Sequence, residues 1–148
     1  MRYSTAGLGR IFVLRLEDGE VLNDTLEAFA LEQGIRNALA FYVGGVAADS
    51  KVVVGPDATR TDGVIPLMHS LAGVQEGFAL GTLFPDEEGR PVLHMHSASG
   101  REGGATVGCT RAGLTTWLVG EVVLLEITET QARREVDPDS GFELLTIR

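Results

Sequence analysis

The chain has one cysteine, Cys109, and one lysine, Lys51, among its 148 residues. A single thiol cannot close an internal disulfide, and its scarcity agrees with a reducing compartment. The other cations are arginines, and 12 Lys plus Arg stand against 21 Asp plus Glu, a formal charge of −9. A duplex-binding surface gathers cations to displace counterions from phosphates. The nearest approach to such a patch is Arg133-Arg134, followed at once by "EVDPD". Long apolar runs are also missing. "WLVGEVVLLEI" is short and carries carboxylates, and no segment reaches the roughly 20 apolar residues of a membrane helix. "MRYSTAGLGR" has no apolar signal core. Repeats, low-complexity tracts and linkers are absent as well. These absences predict a soluble cytoplasmic protein, without a membrane partner, folded as one domain over residues 1–148.

What is present supports a packed core. Apolar residues make up 44% of the chain, enough for a globule of this length. "RIFVLRL" (Arg10 to Leu16) reads as a strand, and "EDGE" as the turn after it. "DTLEAFALEQG" reads as a helix with Asp24 as N-cap and Glu27 completing a capping box. Leu22, Leu26, Phe29 and Ala30 form its apolar stripe, and Gly34 its C-terminal stop. The rest is strand-like: "NALAFYVGGVA", with a bulge or close backbone approach at Gly44-Gly45, then "KVVVG", "GVIPLMHSLAG", "EGFALGTLF", "RPVLHMHS", "ATVGC", "WLVGEVVLLEI" and "FELLTIR". "DEEG" is a hairpin-like turn. One helix among many strands, without βα alternation, predicts an α+β domain with a mainly antiparallel sheet or barrel.

The chemistry concentrates in "PVLHMHSASGREGGATVGC". In a strand, His94 and His96 project from the same face, which suits two ligands of one metal. The Gly-rich "SASGREGG" can close a hairpin, and a register that sets His94 opposite Cys109 adds a thiolate. A His/His/Cys set suits zinc or a similar divalent metal. His69 alternates with Ile65, Leu67 and Leu71; it is either a fourth ligand or a core histidine. Glu121 lies on one face with Trp117, Val119, Val123 and Leu125, and Arg15 with Ile11 and Val13. They read as a structural ion pair, or Glu121 reads as a catalytic base or the partner of a metal-bound histidine. Arg101 and Glu102, on the Gly-rich loop, are candidates for contact with a cofactor or small ligand.

"FVLRLEDGEVLNDTLEAFALEQGIRNALAFYVGGV", "HSLAG", "RPVLHMHSASG", "GATVGCTRAG" and "GEVVLLEI" together resemble the PPC domain, conserved in plants and prokaryotes. The features that carry the likeness are Arg15 with Gly19-Glu20, His94-x-His96, Gly108-Cys109 and Gly120-Glu121-Val122. The resemblance implies a stand-alone prokaryotic member, an antiparallel α+β fold and a homotrimer. In plants the domain accompanies AT-hook motifs and mediates association with itself and with nuclear proteins, and prokaryotic members are called DNA-binding by analogy. No Arg-Gly-Arg-Pro hook core is present; "EGRPV" (Glu88 to Val92) shares only Gly-Arg-Pro. Many prokaryotic relatives follow His-x-His with Gly-Gly-His, a three-histidine metal pattern whose last position here is Cys109.

Three readings follow. The first is a trimeric zinc-type metalloprotein of the PPC kind with an unassigned small ligand. The second is a DNA-binding or regulatory protein, with direct DNA binding expected to be weak or absent. The third is a cupin-like metalloenzyme, ranked last because Glu102 trails His96 by five intervening residues where cupins place a Glu three or four residues on.

Overall fold

The structure, a computed structural model, describes residues 1–57 and 64–147. In chain order the elements are β1 (Gly7–Glu17), α1 (Leu22–Gln33), β2 (Ala38–Val46), β3 (Lys51–Pro56), β4 (Pro66–Ser70), β5 (Gln75–Pro85), β6 (Pro91–Arg101), β7 (Gly104–Cys109), β8 (Thr116–Thr128), β9 (Arg133–Val136) and β10 (Glu143–Thr146). Eight strands form an open sheet in the order β1-β8-β2-β5-β6-β7-β3-β4, and β9 and β10 pair separately. Every neighbouring pair is antiparallel. The expected α+β class with one helix holds, as an open sheet edged by β1 and β4. Gly63 and Arg148, at the ends of "GVIPLMHSLAG" and "FELLTIR", lie outside the described residues.

Alternation along the strands separates two faces. The inward face, with Leu16, Ala38, Ala40, Leu83, Met95, Val122 and Leu124, packs under α1 through Leu22, Leu26 and Ala30. Phe29 is half-buried at the margin and meets Phe12 edge-on, ring centroids 5.3 Å apart. Gly34 ends the helix in the left-handed conformation at φ 65°. The N-terminus differs from the expected capping box: the helix begins at Leu22, and no side chain caps it. Its entry is held by backbone bonds, Leu22 N–H to the Leu114 carbonyl at 2.9 Å and Thr116 N–H to the Glu20 carbonyl at 2.8 Å. Glu27 is therefore free to accept from the Leu93 N–H at 2.8 Å, so the expected cap residue ties α1 to β6 instead.

The register of β2 on β8 shifts at Gly44/Gly45. A Cβ at Gly44 would lie 2.5 Å from the Val119 carbonyl oxygen, so close backbone approach requires glycine there. In the "DEEG" turn, Asp86 Oδ1 accepts from the backbone N–H groups of Glu88 and Arg90. None of the helices among the described residues is long and apolar enough to cross a membrane.

The outward face is uncovered over much of its area. Val13 is 82% exposed, Phe78 66% and Val107 63%. Phe41, Val43, Leu80 and Val123 are exposed beside them.

Candidate metal centre

β6 turns Leu93, Met95 and Ser97 into the core, which leaves His94 and His96 on the outward face. A buried polar network fixes the strand from behind. Asn23 on α1 donates Nδ2–H to the Leu93 carbonyl at 3.1 Å, and Thr110 Oγ1 lies 2.6 Å from Asn23 Oδ1 and 3.2 Å from the Met95 carbonyl. Thr110 directly follows Cys109, so this network holds both ends of the donor set against one helix.

The turn from β6 to β7 decides the register. Arg101 pairs with Gly104 across Glu102 and Gly103, whose φ values of 54° and 83° mark a hairpin turn of the primed kind. Cys109 then stands opposite His96, a correction to the expected pairing with His94. His94 sits beside Thr82 of β5 instead. The three donors still converge. His94 Nε2 and His96 Nε2 are 3.2 Å apart, and with Cys109 Sγ all ligand atoms lie within 4.8 Å of one another. With Zn–N bonds of roughly 2.0–2.1 Å, tetrahedral angles set two imidazole nitrogens about 3.3–3.4 Å apart. The histidine spacing already matches that requirement. Both rings present the same nitrogen to one point, edge to face with centroids 5.0 Å apart.

Two arginines flank the set. Arg111 donates Nε–H to Cys109 Sγ at 3.1 Å, a charge-assisted contact suited to the thiolate that ligates metals. Arg134, 4% exposed, donates from Nη2 to the Thr82 carbonyl at 3.1 Å and to Thr82 Oγ1 at 3.2 Å. His94 is held below the usual imidazole range, by burial first and then by the Arg134 and Arg111 charges. That favours the neutral imidazole, the form that coordinates a metal. Burial raises the Glu27 carboxyl in the same region, against the hydrogen bond from Leu93.

The remaining candidates lie elsewhere. His69 sits on β4, opposite Val52, and is exposed together with the rest of its strand. It is neither a core histidine nor a member of the donor cluster, because β4 is a sheet edge lying beyond α1's cover. Glu121 and Arg15 face each other across β8 and β1. Their rung is on the outward face, and Arg15 lies 3.4 Å from Glu17, not in a buried pair with Glu121. β8 is three strands from β6, roughly 14 Å at sheet spacing, so Glu121 does not reach the histidines. Arg101 and Glu102 pair at 3.1 Å at the far end of the hairpin. Arg101 is five residues and Glu102 six from His96, about 17 Å or more along the strand.

Sequence reasoning passed over Arg111, Asn23 and Thr110, and it read Arg134 only as part of the nearest approach to a cationic patch, Arg133-Arg134. Arg111's place two residues after Cys109 was a usable signal. Arg134's was not, since β9 was not foreseen as a strand.

The model of the Plants and Prokaryotes Conserved (PCC) domain matches residues 3–128. The chain belongs to this family. A comparison with curated proteins finds no match. Among solved structures, the PCC fold seen here is similar to that of a metal-containing protein from Archaeoglobus fulgidus, at TM-score 0.85 and 22% identity over 99% of both chains. It is similar to a plant- and prokaryote-conserved protein from Pyrococcus horikoshii at TM-score 0.82 and 23% identity, over 100% of this chain and 99% of that one. A Ralstonia eutropha protein provisionally labelled DNA-binding aligns at TM-score 0.70 and 21% identity, over 92% of this chain and 90% of that one. At these identities the likenesses establish the PCC fold alone.

Proposed function

We propose that this PCC-domain protein is a homotrimeric metal-binding protein in which His94, His96 and Cys109 hold zinc or a similar late divalent ion. The observation that carries the reading is the convergence of three donors within 4.8 Å at the junction of β6 and β7. His94, His96 and Cys109 would hold the ion, which would supply Lewis-acid chemistry to a water or small ligand bound beside them. The chain's own contribution is to keep His94 neutral, to place Arg111 against the sulfur and to brace β6 from the core side. The Archaeoglobus protein's metal content is consistent with this reading. The test is metal analysis of the purified protein by plasma emission. Close to one equivalent is expected, with loss in the His94→Ala/His96→Ala variant; full metal retention in that variant would refute the site.

The trimer is supported by the family resemblance and by the outward face. Contiguous exposed apolar surface of this kind marks an interaction site, and closed symmetry would also cover the sheet edges. Direct DNA binding is the weaker reading. A trimer would carry three times the −9 of one chain, which repels phosphate at long range. Titration against random and AT-rich duplexes at two salt concentrations is expected to show no sub-micromolar, salt-sensitive binding. Cupin-like chemistry gains no support from Glu102, which lies remote from the histidines.

A further inference from the structure

Two clefts meet at the donor cluster. The first, about 610 Å³, is apolar, with Val53, Pro66, Met68 and Val107 among its walls and His96 and Cys109 at one side. The second, about 770 Å³, is polar and runs past His94 to Arg134, Thr82, Glu27 and Glu143. Arg111 and Phe142 line both clefts, so the two are adjacent. Volumes of this size suit a small molecule.

Arg134 is the unusual feature. It is 4% exposed, yet no carboxylate lies within ion-pairing distance of it among the described residues. Among the described residues its hydrogen bonds use Nη2 and Nε, to Thr82 and the Val92 carbonyl, and none uses Nη1. Glu143, Cys109 and Glu27 act on it only from a distance, so the guanidinium has no direct ion pair in the cleft and can still take one from a ligand. Arg111, whose Nε is committed to Cys109, also has both terminal nitrogens unpaired among the described residues. Both belong to one wall beside His94, and Arg134 and Phe142 come from β9 and the following turn, beyond the segment matched to the family.

We propose that this junction binds a small amphipathic carboxylate. Its head would lie against Arg111 and Arg134, and its apolar body in the cleft of Val53, Met68 and Val107. A carboxylate is favoured over a phosphate because Asp24, Glu27 and Glu143 line the same polar cleft and penalise a second negative charge. A planar guanidinium edge also matches a carboxylate's two oxygens. The proposal deepens the metal reading, since the head would lie next to the ion, but its two arginines do not depend on a metal being bound.

The experiment is calorimetric titration of the purified protein with phenylacetate, 2-phenylethanol, acetate and phenyl phosphate, with metal content measured on the same samples. Phenylacetate is expected to bind at least tenfold more tightly than the neutral alcohol, than acetate and than phenyl phosphate. Arg134→Leu should weaken it at least tenfold. Because Arg134 also anchors β9 to β5, Arg111→Gln is the second variant; it should weaken phenylacetate but leave 2-phenylethanol unchanged. Phenylacetate binding no tighter than the alcohol, or undiminished in folded Arg111→Gln, overturns the proposal. Tighter binding of phenyl phosphate overturns the choice of carboxylate. Arginine-dependent phenylacetate binding to protein without metal supports the proposal and counts against the metal reading. Metal-loaded protein that ignores phenylacetate does the reverse.

Discussion

The outward face of the sheet has two halves that share one backbone geometry and do different things. One rung runs from Val13 through Val123, Phe41 and Leu80 to His96 and Cys109. Over β1, β8, β2 and β5 its side chains are apolar and exposed. On β6 and β7 the same outward positions hold imidazole and thiol, with two arginines and Phe142 beside them. The pleat dictates only that alternate residues face out; the residue type decides whether that face attracts another subunit or a metal. The apolar half has no cover within the chain, whereas beside the polar half Arg134 and Phe142 form part of a cleft wall, although His94 and His96 stay exposed.

The sharpest way to break the contrast is to put charge on the apolar half. Val13→Asp with Phe41→Asp, on strands that do not touch β6, should convert a trimer entirely to monomer in light scattering, while metal content stays unchanged if the two halves are independent. Parallel loss of metal would instead show that the site needs a neighbouring subunit. A smaller effect is expected behind the polar half. Thr110→Val leaves Asn23 Oδ1 without its donor and should lower unfolding free energy by about 1–3 kcal/mol in denaturant titrations, with weaker metal retention than wild type. An unchanged midpoint would mean that the network does not brace β6.

Acid should separate the halves further. His94 titrates below the ordinary histidine value, so the folded chain takes up that proton less readily than the unfolded chain. In metal-free protein the His94 contribution to stability is therefore full above about pH 6.5 and falls as pH drops through the window below it. Denaturation at pH 7.5 and 5.5 should show this loss in wild type and less of it in His94→Gln. The smallest effect belongs to the Arg10–Glu126 pair on the helix-side face of β1 and β8, where Arg10 also donates to the Gln33 carbonyl. Arg10 makes two 2.7 Å contacts to the carboxylate, which lower Glu126 to about 2. Its contribution is present above the unfolded carboxyl value near 4.5 and fades as pH falls toward 2. Glu126→Gln should flatten the acid limb of a circular dichroism titration only over that range.

Periodicity made the helix, the strands and the same-face histidines legible, because a 3.6 or a 2 repeat is written locally in residue type. Gly34 and Gly44-Gly45 were legible for the same reason: only glycine suits a left-handed stop or so close a backbone approach. The helix cap was misread because Glu27's carboxylate had two possible partners, and the nearby backbone of β6 won. Whether Cys109 faced His94 or His96 turned on one residue of hairpin register, set by positive φ at Glu102 and Gly103. Alternation alone placed His69 and Glu121 on apolar faces, but it cannot say which apolar face is covered. The chain's own sequence determined the α+β class, the His94/His96 pair and the lack of an internal disulfide. Only tertiary structure brought Arg134 from β9 across to Thr82 and His94, because a contact between residues forty or more positions apart depends on how sheets and hairpins stack and leaves no periodic trace in the chain.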